Sequence, residues 1–174
     1  PANGSDDRLA SFSSTGPTYE GFVTPEVVAP GGDMVASMPM DSTIVRSFGA
    51  ELHPYDTLFT ISGTSQSAAV TTGVVALMLQ AHPTLKPDDV KCRLMAAAQP
   101  AIGVDGRLAY SVFQQGAGLI NAQAAVLSTA TGCANRGLDI TADIAGTAHF
   151  GGPANQDAAG NYYVMDMAGS TWGQ

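Results

Sequence analysis

The chain has 174 residues, 45% of them apolar and 13% charged, and a formal net charge of −8. That composition belongs to a globular domain with a sizeable core, not to a disordered segment. Acidity with only seven scattered Lys and Arg argues against a nucleic-acid binder, and no apolar run reaches the ~18 residues a membrane-crossing helix needs.

The opening stretch, Pro1 to Asp7, is polar and turn-rich, with neither an initiator Met nor a signal peptide; a mature chain or an internal fragment would both give this. Residues 8–14 alternate apolar and small polar side chains and predict a short strand, broken by Gly16-Pro17. Residues 25–29 predict a buried strand ended by Pro30-Gly31-Gly32, and residues 33–38 a further extended stretch. Residues 39–56, with Pro39 and Pro54, predict irregular chain, and 57–61 predict a strand bounded by Ser62-Gly63. From Ser65 to about His82 the residues are small or apolar on every side, which predicts a helix buried nearly all round. Pro87 with Asp88 and Asp89 then opens a second helix that Pro100 stops. Residues 101–118 predict loop and turns, and residues 119–128 a third helix capped by Asn121.

After Ser128 the chain becomes rich in Gly, Ala, Asp and Asn, which divides it into residues 1–128 and an extension, residues 129–174, of irregular or β character. Ile140–Ile144, His149–Phe150 and Tyr162–Met167 are its candidate strands. Cys92 and Cys133 allow one disulfide, which would tie the extension to the body, or two unrelated buried thiols. With no CxxC pattern, a zinc site is not indicated. The oxygens around Asn155 and Asn161 are of a kind that binds calcium, but their spacing is not that of a calcium loop; the plainer reading is a packing strap or a linker.

The segment with chemical content is Ile61-Ser62-Gly63-Thr64-Ser65-Gln66-Ser67-Ala68, where a strand runs into a glycine and a serine stands at the mouth of an apolar helix. The free N–H groups of a helix N-terminus stabilise an oxyanion that forms beside a hydroxyl. From composition alone the same residues also read as a helix cap.

The flanking motifs separate these readings. Gly63-Thr64-Ser65 with Gly73 eight positions after the serine, Ala10-Ser11-Phe12-Ser13-Ser14-Thr15-Gly16-Pro17, Thr24-Pro25-Glu26-Val27-Val28-Ala29-Pro30-Gly31 and Gly116-Ala117-Gly118-Leu119-Ile120-Asn121-Ala122 occur in the order and spacing of the subtilisin-like serine proteases. Residues 8–127 resemble the C-terminal part of that family's catalytic domain. The resemblance implies an α/β fold: the C-terminal half of a parallel-sheet domain around a buried nucleophile helix. It also implies a peptidase of broad specificity, extracellular and bacterial, that acts on polypeptides and requires no cofactor, with structural calcium as a family option.

Ser65 is then implied as the nucleophile and a backbone oxyanion donor, with Thr64 in support. The partners that a serine nucleophile needs, a histidine and the carboxylate that orients it, come earlier in the family's chain order. Neither the family's His-Gly-Thr-His type motif nor its catalytic Asp and oxyanion Asn segments occur here; Asn3 is too close to Phe12 to be that asparagine. His82 is about 25 Å along the helix from Ser65, while His53 on a variable loop and His149 in the extension match no family position. The common pattern also has Met-Ala directly after the serine, then proline and histidine; this chain has Gln66, Ser67, Ala69 and Val70. The expected partner is therefore the N-terminal portion of the same protease, carrying Asp and His and most of the specificity pockets. A non-catalytic binding or structural module is the alternative. A different serine hydrolase using His53 is disfavoured, because Gly63-Thr64-Ser65-Gln66-Ser67 lacks the second glycine of Gly-x-Ser-x-Gly.

Overall fold

Two short β-prone runs can hydrogen-bond to each other when the chain between them folds back, and residues 33–61 do so. In a computed structural model describing residues 7–52 and 57–165, β1 (Met34–Ser37) pairs antiparallel with β2 (Leu58–Ile61), Met34 opposite Ile61 and Ser37 opposite Leu58. Between them residues 43–52 form a helix, α1 (Thr43–Leu52), where irregular chain is expected. Its start is fixed by Ser42, whose hydroxyl accepts from the Val45 N–H at 3.3 Å and whose carbonyl accepts from the Arg46 N–H at 3.0 Å. Val45 is buried, and Gly49 faces Phe59, which is fully buried on β2. The flanking prolines, Pro39 and Pro54, conceal this helix, although Ile44, Val45, Phe48 and Leu52 recur at helical spacing.

Helix α2 (Thr64–Ala81) follows β2 directly, and α3 (Pro87–Ala97) begins after a short turn with proline in its first turn. The chain falls into two compact units, Pro1–Ser13 with Ala29–Thr72 and Ser14–Val28 with Gly73–Gln174, so α2 opens in the first and ends in the second. The core of the second unit gathers Val74, Met78, Leu94 and Ala125, with Leu85, Val90, Ile120 and Val126 packed against them. Truncating Met78, which is fully buried, would cost on the order of 2–5 kcal/mol.

Expected all-round burial of α2 is not what the chain achieves. Val74 and Met78 are its buried residues, whereas Leu77 is 50% and Leu79 39% exposed. The sequence makes the helix apolar on every face, but the described chain covers one face of it.

Strand expectations fail at three other places. Residues 8–14 turn instead of extending, with the Ser13 N–H donating to the Ala10 carbonyl at 3.0 Å. Ile140–Ile144 is a helix, because Asp139 caps it by accepting from the Ala142 N–H at 2.9 Å. His149–Phe150 has no strand pairing. Residues 25–29 contribute a single parallel bridge, Val28 to Leu119, while Leu119 pairs with Gln99 on its other side. Among the described residues, the longer pairings are antiparallel ribbons, and this bridge is what corresponds to the parallel sheet the resemblance implies.

Around that bridge the motif Gly116-Ala117-Gly118 has a steric cause. Gly116 (φ 57°) lies against the carbonyls of Pro25 and Glu26, and Gly118 (φ 115°) against that of Gln99, so a side chain at either would overlap backbone. Just before them, the four-residue helix α4 (Val112–Gln115) ends on Gln115, a buried side chain that accepts from the Ala101 N–H at 2.7 Å and donates to the Tyr110 carbonyl at 2.6 Å. Helix α5 (Ala122–Leu127) is capped as expected, with Asn121 accepting from the Ala124 N–H at 2.9 Å.

The extension holds α6 (Ile140–Ile144) and an antiparallel ribbon of β3 (Ala154–Gln156) and β4 (Tyr162–Val164). Asp157 turns the ribbon by accepting from the N–H groups of Ala159 and Asn161, and Asn161 holds its carboxyl below the usual carboxylate range. A depressed carboxylate steadies the turn at neutral pH and loses that contribution as pH falls through its lowered folded-state value. Four links bind the extension to the rest of the second unit. Cys92 on α3 and Cys133 form a disulfide, with Cα atoms 5.1 Å apart. Asn135 bridges Lys91 (3.2 Å) and Asp88 (2.7 Å). The Gly152 and Ala154 N–H groups donate to the carbonyls of Glu20 and Gly21, and the Tyr162 ring meets Phe113 edge-on at 6.0 Å.

Closing a loop of 41 residues in the unfolded chain is worth about 4 kcal/mol. Reduction of the native protein, or Cys133→Ser, should therefore lower its stability by about 2–4 kcal/mol, read as a shift of the denaturant midpoint. An unchanged midpoint would mean that the bridge restrains nothing.

Candidate active site

Geometry at the start of α2 follows from a turn that two neighbouring segments hold. β2 delivers the chain to Ser62, and Gly63 breaks the extended run. The Gly63 N–H donates to the Gly31 carbonyl at 2.8 Å, and the Gln66 N–H closes back onto the Gly63 carbonyl at 3.1 Å. On the other side, Asp33 (φ 48°) donates its N–H to the Ser62 hydroxyl at 2.8 Å and accepts from it at 3.2 Å. One turn into the helix, the Ser67 hydroxyl donates to the Ala29 carbonyl at 2.9 Å. The Ala29–Asp33 turn thus meets the 62–67 turn at three points.

Thr64 and Ser65 occupy the first turn of α2, side by side and exposed. The first N–H groups of any helix lack intrahelical acceptors and stand at its positive end. A hydroxyl placed there has donors beside it for a charge that develops on a neighbouring oxygen.

The candidate partners are elsewhere or unobserved. Within the unit that holds Ser65, the described residues contain no histidine; His53 and Asn3 lie outside the described residues. His82 follows α2, its Nε2 3.0 Å from the Val126 carbonyl. His149 lies in the extension with Nδ1 3.4 Å from Asp143 Oδ1, largely exposed. The structure therefore brings Thr64 and Ser65 together and engages the other described histidines with their own neighbours. The described residues form no group of three or more His, Cys, Asp or Glu fit to hold a metal ion.

Sequence reasoning did not single out Ser62, Asp33 and Ser67, the three side chains that fix this turn. Their hydrogen bonds cross about thirty to forty positions of sequence, and a serine near a helix start carries no signal of such a bond. The repeated small residues on both sides of the contact are the available hint, because close backbone approach requires them.

Gly31 is the tightest point. It is buried, and a Cβ there would overlap the Ser67 hydroxyl and lie 2.7 Å from the Gly63 carbonyl. Gly31→Ala should force the two turns apart and destabilise the protein by about 1–3 kcal/mol in denaturant unfolding. A stability equal to the parent's would mean that the contact yields freely.

Comparison with known proteins identifies the family of the chain. The family model of the Subtilase family matches residues 2–136. Among curated proteins, the chain is 38% identical over 90 residues to Serine protease AprX of Bacillus subtilis (strain 168), covering 52% of this chain and 20% of that protein. It is 33% identical over 130 residues to Subtilisin-like protease SBT1.2 of Arabidopsis thaliana, covering 68% and 16%, and 31% identical over 133 residues to C5a peptidase of Streptococcus pyogenes, covering 72% and 10%. In those three matches the aligned part is a tenth to a fifth of the relative's length. With the match running through the Gly31 turn, the Ser65 turn and the Gly118 segment, the chain belongs to the Subtilase family of serine proteases.

Proposed function

We propose that this chain supplies the nucleophile portion of a subtilisin-type serine endopeptidase, with Ser65 as the attacking group. The observation that carries this reading is the placement of Ser65: exposed, in the first turn of α2, within a turn that four hydrogen bonds restrain, in a chain of a serine protease family. The Ser65 Oγ attacks the scissile carbonyl as its proton passes to an imidazole. The negative charge moves to the carbonyl oxygen, which the Ser65 N–H helps to bind. Collapse expels the amine, which takes the proton from the imidazole, and leaves an acyl ester on Ser65 that water hydrolyses. Thr64 lines the same site and supports it.

A serine hydroxyl does none of this unaided, so the histidine, its aspartate and the second oxyanion donor come from an upstream segment of the same protease. The exposed apolar faces of α2 fit that reading. Leu77 and Leu79 are half or more than a third exposed on a helix with no polar face, and an apolar cleft of ≈ 520 Å³ runs along Val75, Leu79, Leu85, Val90 and Leu94. Upstream elements would cover these surfaces and extend the Val28–Leu119 pairing into a parallel sheet. A module working alone would leave the same surfaces in water, where they favour aggregation. Polypeptides are the substrates, and an extracellular site of action suits the disulfide. No cofactor is needed for the chemistry, and a structural calcium remains unassigned to any residues.

In the full-length protease, a fluorophosphonate should label Ser65, and Ser65→Ala should abolish labelling while leaving the circular dichroism spectrum and the unfolding midpoint unchanged within ~0.5 kcal/mol. The 174-residue chain alone should not label. Labelling of the isolated chain would refute the need for an upstream segment, and failure of the folded full-length protein to label would refute the nucleophile assignment.

A further inference from the structure

We propose that Ser67 is a positioning residue that sets the direction in which Ser65 points, through its hydrogen bond to the Ala29 carbonyl. The inference rests on the nucleophile reading of Ser65 and adds a second residue to that site. Ser67 is two positions after Ser65 in α2, so their side chains leave the helix roughly 200° apart, on opposite sides. Ser67 is part-buried and donates to Ala29 at 2.9 Å, whereas Ser65 is exposed. The bond therefore holds one side of the helix's first turn against the Ala29–Gly31 turn and leaves the opposite side, with Ser65, facing outward.

Without that bond, the remaining links restrain the strand side of the turn alone. The Gly63 N–H to the Gly31 carbonyl and the Ser62–Asp33 pair both lie before the helix begins. They fix where the helix starts, while Val74 and Met78, buried further along, fix the rotation of its later turns; the rotation that Ser67 sets is that of the first turn, where Ser65 stands. Ser67 is the described side chain past the turn that bonds the first helical turn to the facing segment. The neighbouring hydroxyls of Thr71 and Thr72 donate to Ser67 and Ala68 carbonyls within the same helix and restrain no such rotation. Gly31 belongs to the same device, since a side chain there would occupy the space of the Ser67 hydroxyl. At a side-chain radius of about 4–5 Å, a roll of about 15° moves the Ser65 Oγ by about 1 Å, and a misplacement of that size costs up to ~100-fold in rate.

The test compares Ser67→Ala with Thr72→Ala in the full-length protease. Both remove one hydroxyl-to-carbonyl bond from α2, but Thr72 is exposed and bonds within the helix. Ser67→Ala should lower kcat and the rate of Ser65 fluorophosphonate labelling about tenfold each, with KM within about twofold, while Thr72→Ala leaves all three within about twofold. Amide exchange at Gly63 should accelerate about fivefold in Ser67→Ala, roughly the worth of one neutral hydrogen bond. A kcat for Ser67→Ala within twofold of the parent's, or an equal loss in Thr72→Ala, would overturn the positioning role. If the parent does not label at Ser65, the nucleophile reading falls and the positioning role with it. Unchanged Gly63 exchange in Ser67→Ala, by contrast, would overturn the restraint whatever the labelling shows.

Discussion

The Gly63 N–H reaches the Gly31 carbonyl at 2.8 Å, and this contact is possible because Gly31 has no side chain, which would overlap the Ser67 hydroxyl and crowd the Gly63 carbonyl. The start of α2 is held by it. The contact brings the end of β2 against the Ala29–Asp33 turn, and that approach places the Ser62 hydroxyl beside Asp33 and the Ser67 hydroxyl beside Ala29. A strand that becomes a helix within three residues gives up its extended backbone abruptly. The external hydrogen bonds hold that change of direction in one conformation and so present Ser65 on an exposed first turn.

Behind this turn, α2 meets a second constraint. Beyond Thr72 its residues are almost all small or apolar on every side, and a helix of that kind reaches its lowest free energy when it is surrounded. The chain provides one covering layer, built from Leu94, Ala125 and their neighbours on Val74 and Met78, and leaves Leu77 and Leu79 in contact with water. At about 25 cal/mol per Å² of apolar surface, covering the remainder is a substantial driving force for association with complementary elements. The same deficit appears in the strand pairing, where Val28 and Leu119 meet in a lone parallel bridge among the described residues. Both deficits have one physical form, in which elements with two faces have a neighbour on one.

The extension is joined to the second unit by unlike forces that reinforce one another. The disulfide limits the unfolded chain, the Asn135 bridge between Lys91 and Asp88 positions the segment that follows Cys133, and the backbone of Gly152 and Ala154 pairs with residues 20 and 21. Lys91 also pairs with Glu26 at 2.6 Å, an ion pair exposed enough to contribute little by itself. The arrangement makes the extension a packed strap over its own unit.

Local chemistry was legible in the sequence. Proline and paired acids announced α3, Asn121 announced the cap of α5, Gly63 marked the end of β2, and the ordered motifs announced the family. These features act over a few residues, so their physical cause lies within the window that the sequence displays. Helix α1 between two prolines and α6 in place of a strand were less legible, because Ser42 and Asp139 supplied caps that outweighed flanking composition and β-propensity. The sequence by itself determined that Ser65 stands at a helix mouth in a subtilase pattern and that the flanking glycines permit close approach. Tertiary structure decided which backbone Gly31, Gly116 and Gly118 approach, that Cys92 meets Cys133, that Ser62, Asp33 and Ser67 hold the Ser65 turn, and that Leu77 and Leu79 of α2 stay uncovered. Those outcomes depend on groups about thirty or more positions apart coming within hydrogen-bonding or bonding distance, and only the folded chain brings them there.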